Sequence, residues 1–199
     1  MDSTEETPQW YAMSAPYGRE MTMVNLLKAD GDVETFVPLM RNERMVGQKL
    51  RRRVISYRPV VRNLLFIRAT KLKMHTLKQQ YNTQLQFKVH LEDGNYKPII
   101  VPEKQMSDFM TLYAHVGEED LEFFLPSEIT FHPEDRVIVQ DGPFAGLEGY
   151  LVKIKGRRAK RFLVRIEDFL CCAAVIAHCR YVSFPKEKKK ATVSRSNQR

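Results

Sequence analysis

Cysteine is scarce: three in 199 residues, with Cys171 and Cys172 adjacent and Cys179 left over. An odd count containing an adjacent pair is a poor disulfide framework, which argues against a small cross-linked secreted fold. Long apolar runs are missing too, since nothing approaches the ~20 residues a helix needs to cross a bilayer. The opening residues Met1 to Pro8 are acidic and polar, unlike a signal or transit peptide, so the expected location is the cytosol. There is no Gly-rich phosphate loop, no Gly-x-Ser-x-Gly elbow and no His-Glu-x-x-His, and His90, His115 and His132 are scattered. Cys171, Cys172, His178 and Cys179 lack the ligand spacing of a structural zinc site, and neighbours on a strand point to opposite faces. The chain reads as a non-enzyme without metal or cofactor.

What is present is an uneven charge. The first 128 residues hold 17 basic and 17 acidic side chains; the last 71 hold 15 and 7, so the whole net charge of +8 lies there. Part of it is the run Lys186 to Lys190. Such asymmetry points to nucleic acid or a nucleic-acid machine, the alternative for the tail being simple solubilisation.

The hydrophobic pattern predicts two units. Trp10 to Ser14 reads as a strand, Arg19 to Ala29 as a helix stopped by Asp30-Gly31, and Glu34 to Pro38 as a second strand. Arg41 to Arg53 is polar and basic around Gly47 and fits a long exposed hairpin tip. Leu64 to Ile67 is too short for a helix and reads as a buried strand. Residues 71–81 place Met74, Leu77 and Tyr81 on one helical face. Leu85, Phe87, Val89 and Leu91 alternate with polar residues, predicting one strand with a single apolar face, and Asp93-Gly94-Asn95 turns the chain toward Ile99 to Val101. Pro102 opens a helix whose stripe is Met106, Phe109, Met110 and Tyr113, and Gly117 ends it. The acidic stretch 118–128 reads as a linker, the alternative being that Leu121, Phe123, Phe124 and Leu125 dock on one domain. Beyond it, Val137 to Val139, Tyr150 to Ile154, Phe162 to Ile166 and Cys171 to Ala177 predict a small barrel of about five strands. The fold class is α+β: a 1–8 tail, a 9–117 antiparallel sheet flanked by helices, a 129–185 all-β unit and a disordered basic tail over 186–199.

The most specific stretch runs from Asp135 to Gly149, where Gly142-Pro143-Phe144-Ala145-Gly146 links two strands and Gly149 enters the second. Gly142 and Gly146 suit backbone angles closed to residues with a Cβ, Pro143 fixes a turn dihedral, and Gly149 permits a tight bend. The stretch resembles the KOW motif, which implies an SH3-like barrel. Trp10-Tyr11, the helix after it, the basic hairpin and the strand at Phe66 resemble the NusG N-terminal domain, so residues 9–185 resemble the NusG family. Within the family the chain most resembles the specialised paralogues, RfaH and the UpxY-type antiterminators of capsular polysaccharide operons, and Gly142 to Gly149 followed by Lys155-Gly156-Arg157-Arg158 favours the UpxY type.

The resemblance implies a monomeric elongation factor, without membrane contact, that binds the large subunits of RNA polymerase. Leu64 and Phe66 are the implied contacts to the polymerase clamp, although Arg62 and Leu64 depart from the family's proline and aromatic; the alternative is that both fill the core. His75 and Thr76 match the element that touches the gate loop, or are ordinary helix-surface residues. Arg19, Arg44, Lys49, Arg51, Arg52 and Arg53 are the implied contacts to upstream or non-template DNA or nascent RNA. Phe144 matches a position through which the KOW unit binds ribosomal protein S10 or Rho. The competing reading is an RNA-binding or ribosome-associated KOW protein using Lys153, Lys155, Arg157, Arg158, Lys160 and Arg161.

Overall fold

The computed structural model describes residues 7–47, 51–116, 120–132, 135–156, 158–167, 170–175 and 179–183. Most of the expected N-terminal tail and all of the 186–199 tail lie outside these residues.

The first strand, β1 (Gln9–Ser14), is buried on both faces, with Trp10 and Ala12 to one side and Tyr11 and Met13 to the other. Helix α1 (Glu20–Leu27) buries Met23, Val24 and Leu27. Strand β2 (Glu34–Phe36) leads into the hairpin of β3 (Leu39–Val46) and β4 (Arg52–Pro59). Next comes β5 (Leu65–Ala69), then α2 (Lys71–Gln80), whose first turn is capped by Thr70 accepting the Lys73 N–H at 3.2 Å. Short strands β6 (Gln86–Phe87), β7 (Val89–Glu92), β8 (Asn95–Pro98) and β9 (Ile100–Val101) precede α3 (Glu103–His115).

Strands β2, β5 and β1 lie side by side, and β6 and β9 share the remaining edge of β1; every pair is antiparallel. Alternation sorts the side chains. Tyr11, Met13, Leu65 and Ile67 meet α1 and α2, whereas Trp10, Ala12, Leu64 and Phe66 share a core with α3. The run from Leu85 to Leu91 is not the single strand its alternation predicts. It breaks after Phe87, and Val89 and Leu91 sit exposed in the separate β7–β8 hairpin. That hairpin turns at Asp93 and Gly94, both at positive φ (51° and 77°), because the two-residue turn matching strand twist needs such angles.

Past α3 the chain is almost wholly β: β10 (Glu122–Phe124), β11 (Arg136–Val139), β12 (Glu148–Val152), β13 (Arg161–Ile166), β14 (Leu170–Ala174) and β15 (Tyr181–Ser183). They form a six-stranded sheet in the order β10-β14-β13-β12-β11-β15. Two expectations change here. Residues 122–124, read as linker, form the β10 edge because Phe123 and Phe124 alternate into apolar clusters on opposite faces. The sheet, moreover, does not close into a barrel among the described residues: β10 extends it past β14, so β10 and β15 end at opposite edges.

Helix α3 is buried on more than its expected stripe. Met106, Phe109 and Leu112 are buried, and their cluster runs without interruption from Trp10 and Phe66 to Val137, Val139, Phe162 and Val164 of the second sheet. The two units thus share one core through α3.

Gly142 and Gly146 take positive φ (77° and 85°), as the turn chemistry requires. Gly149 is needed for a different reason from the bend expected of it: a Cβ there would lie 2.5 Å from the Leu163 carbonyl oxygen and 2.7 Å from Phe162 Cζ. The neighbouring backbone cannot yield cheaply. Gly149→Ala should cost roughly 1–3 kcal/mol in chemical denaturation. Gly31→Ala, with nothing within 4 Å of its Cβ position, should leave the midpoint nearly unchanged.

Candidate functional site

The β3–β4 hairpin is a two-stranded ribbon whose burial falls from the base outward. Its base is tied to α3 by Tyr113, whose hydroxyl accepts the Leu39 N–H (3.1 Å) and donates to the Leu39 carbonyl (2.9 Å). Arg44, Arg51, Arg52 and Arg53 are all exposed, as expected of a basic tip, and Lys49 lies outside the described residues. They are not equivalent. Arg53 donates to the Glu43 carboxylate through Nε at 2.7 Å, and Glu43 also pairs with Arg41. Arg44 and Arg52 have no ion-pair partner among the described residues.

Arg19 lies on a short loop before α1, with its guanidinium 5.8 Å from the centre of the Tyr17 ring. Tyr17 is 89% exposed and holds φ at 63°, a strained value for a residue with a Cβ. The loop is fixed from beneath. The Gly18 N–H donates to Asn63 Oδ1 at 3.2 Å, and the Asn63 N–H donates to the buried Glu20 carboxylate.

Leu64 and Phe66 are both 0% exposed. Phe36 lies between Phe66 and α3, with ring centres 6.4 Å from Phe66, 5.6 Å from Phe109 and 5.5 Å from Tyr113. In this arrangement neither residue offers surface to a partner, because α3 and the shared core cover their sheet face.

His75 and Thr76 sit exposed on α2, on the other side of the first sheet from Leu64 and Phe66. The Thr76 hydroxyl donates back to the Leu72 carbonyl at 3.2 Å. His75 meets the edge of Phe87 (6.3 Å between ring centres) at the mouth of a cleft of about 480 Å³, which Tyr11, Met74, His90 and Ile100 also line. Phe144 is half-buried in its turn against the shared core, with its ring 6.1 Å from that of His115 at the end of α3.

Sequence reasoning missed the polar seam between α3 and the second sheet. Asp108 is 4% exposed, accepts from Lys104 Nζ at 2.5 Å, and accepts the Glu148 N–H at 3.2 Å. Lys104 also donates to the Gly146 carbonyl at 2.8 Å, and the Glu167 N–H donates to Gln105 Oε1 at 3.1 Å. Burial pushes the Asp108 carboxyl above its ordinary range, against the opposing pull of Lys104 and the Glu148 N–H. The seam borders a cleft of about 400 Å³. Only the i, i+4 spacing of Lys104 and Asp108 hinted at it, and such pairs are common on solvated helix faces.

The remaining sequence candidates are less active. Cys171 and Cys172 are buried in clusters on opposite sheet faces, and burial pushes the Cys171 thiol up to about 12, which makes it inert as a nucleophile. Of the second unit's basic residues, Arg161 lies 3.8 Å from Glu122 and is mostly buried. Arg157 falls outside the described residues.

Residues 8–110 match the family described as transcription termination factor NusG. No curated protein matches the chain. A solved structure concerning domain interaction in Thermotoga maritima NusG is 15% identical, covering 84% of this chain and 93% of that one, at a TM-score of 0.42.

Ile138 and Glu148 face each other between the bonded pairs of the β11–β12 ladder, which turns the Glu148 N–H outward to Asp108. Asp108→Ala should therefore speed hydrogen exchange at the Glu148 amide by at least tenfold. Asp108→Asn, which keeps an acceptor oxygen, should preserve most of the protection.

Proposed function

The chain belongs to the NusG family, and from that premise we propose that it is a transcription elongation and antitermination factor acting on RNA polymerase. The observation that carries the reading is the extent of the family match, which takes in the first sheet, the hairpin, α1, α2 and most of α3.

Within that role, the sheet face of Leu64 and Phe66 serves the polymerase clamp, and His75 with Thr76 serves the gate loop. Their positions on opposite sides of one sheet support this division, since a rigid body gripping two pincers needs contacts facing apart. A ligand that binds only the closed clamp shifts the enzyme toward it and away from the paused state. The exposed hairpin and Arg19 lie toward DNA. Phe144 serves the KOW partner, ribosomal protein S10 or Rho. The pattern over Gly142–Gly149 and Lys155–Arg158 supports a specialised paralogue of the UpxY or RfaH type, acting on operons such as those for capsular polysaccharide.

Because Leu64 and Phe66 are covered, the clamp contact requires the second unit to part from α3 first. The polar seam supports that step: beside the shared apolar core, the three hydrogen bonds from α3 to the second sheet border a cleft, where water can replace them as the units part. If the parted form is about a tenth of the population, apparent affinity is reduced about tenfold.

Purified chain should lengthen transcripts past a pause when added to core polymerase. Asp108→Ala, which loosens the seam, should bind polymerase up to about tenfold more tightly. His75→Ala/Thr76→Ala, on an exposed helix surface, should keep polymerase binding while losing most pause suppression. If neither wild-type nor Asp108→Ala chain binds polymerase, the reading is wrong.

A further inference from the structure

The β7–β8 hairpin stands with its polar face turned inward. Residues paired across an antiparallel ladder share a face, and faces alternate along each strand. The register pairs Val89 with Pro98, His90 with Lys97, Leu91 with Tyr96 and Glu92 with Asn95. His90, Glu92 and Lys97 line the cleft of about 480 Å³ beside α2, while Leu91 and Tyr96 on the other face are 65% and 77% exposed. Hydrophobic burial alone favours the reverse, with Leu91 and Tyr96 packed toward α2 and the charges in water. A departure of this kind marks a place where function, not stability, sets the arrangement.

The cleft is built on fixed elements. Backbone bonds hold both ends of the hairpin to β1. The Lys88 N–H donates to the Ala12 carbonyl at 2.9 Å, the Ala12 N–H to the Ile99 carbonyl at 3.0 Å, and the Ile99 N–H to the Lys88 carbonyl at 2.9 Å. Facing the hairpin, α2 contributes Lys71 and His75, four residues apart on one helix face. Between the two walls lie Phe87, half-buried, and Ile100, 42% exposed. The Phe87 ring meets those of His75 and Tyr11 edge to face, with centres 6.3 Å and 5.9 Å away. The rim carries an excess of positive charge. Glu92 accepts from Lys97 at 3.0 Å and lies 3.5 Å from His90, so the hairpin's carboxylate in the cleft is already shared. Lys71 is exposed and has no ion-pair partner among the described residues.

We infer that this cleft is a binding site for a small aromatic carboxylate, its ring against Phe87 and Ile100 and its anionic group toward Lys71. The volume falls within the range of small-molecule sites, about 300–1,000 Å³. A flat ring suits the floor, because aromatic rings attract one another edge to face or offset at ~4.5–7 Å. One uncommitted lysine matches a single negative charge, whereas phosphate recognition draws on arginine forks or clusters of backbone N–H groups. A ligand seated there would lie against His75, the residue proposed for the gate loop. Binding itself needs no polymerase, so the inference goes beyond the elongation-factor reading and does not depend on it.

The test titrates isotope-labelled full-length chain with naphthoate to millimolar concentration and follows the amide spectrum. Saturable shifts should appear at His75, Phe87, His90 and Ile100. Lys71→Ala, an exposed change at the start of α2, should weaken binding about tenfold with an unchanged thermal midpoint, as loss of one charge-assisted contact does. Naphthamide, the neutral analogue with the same ring, should bind wild-type chain as weakly as naphthoate binds that variant. Leu91→Ala/Tyr96→Ala, which trims apolar surface outside the cleft, should leave naphthoate affinity unchanged. Absence of saturable binding would overturn the inference, as would equal affinity for naphthoate and naphthamide or shifts centred outside the cleft. Loss of binding in Leu91→Ala/Tyr96→Ala would overturn it too, by showing the outer face to be an unspecific apolar patch.

Discussion

The structure depends on α3 being wanted from two sides. A 13-residue helix is marginal alone, so its order comes from burial. Met106, Phe109 and Leu112 are each buried, at about 1.5–3 kcal/mol apiece relative to exposure. The same helix sends Tyr113 to the base of the hairpin, Asp108 to the second sheet and His115 toward Phe144. Sheet, ribbon and second unit are thereby set in one frame.

Much of this frame was legible in the residues. Period-two and period-3.6 patterns placed β1, α1, β5, α2 and α3 within a few residues, because each has a face that must be hidden. The failures share a cause. Leu85 to Leu91 alternates cleanly, but alternation does not say which sheet a strand joins, and here the chain leaves the main sheet after Phe87. Glu122 to Phe124 reads as linker with apolar residues able to dock on one domain, but the sheet whose opposite faces Phe123 and Phe124 serve is not visible locally. The stripe of α3 was read as one-sided, since nothing in a helix's own periodicity announces a second partner.

The candidate site was legible by residue type and not by surroundings. A cluster of arginines signals a polyanion, but only strand register tells which of them a carboxylate has already claimed. Arg53 and Arg52 are neighbours in sequence, yet one meets Glu43 and the other faces solvent. Phe66 was likewise a sound apolar candidate whose burial depends on Phe36 and Phe109, residues distant in sequence.

α3 is held on both sides, and the ties to each differ in kind. Phe36, Phe66, Phe109 and Tyr113 form a dry aromatic group entirely within the first unit, and Tyr113 bonds twice to Leu39. Against the second sheet, α3 adds to its apolar contacts three hydrogen bonds, from Lys104 to the Gly146 carbonyl, from the Glu148 N–H to Asp108 and from the Glu167 N–H to Gln105, while the Lys104–Asp108 pair lies within the helix. We propose that the aromatic group and the Tyr113 bonds keep the helix with the first sheet, although it packs more extensively on β13 and β14 of the second. It would not cover that sheet alone: four strands abreast span about 19 Å at ~4.8 Å spacing, whereas a helix is ~10 Å wide. Leu64 and Phe66 are nevertheless fully buried, so cover beyond the helix comes from the core shared with the second unit. Parting along the polar seam would then bare an apolar strip beside α3, bounded by the base of the arginine-faced hairpin. The surfaces proposed for the polymerase clamp and for DNA would lie next to each other on one rigid body.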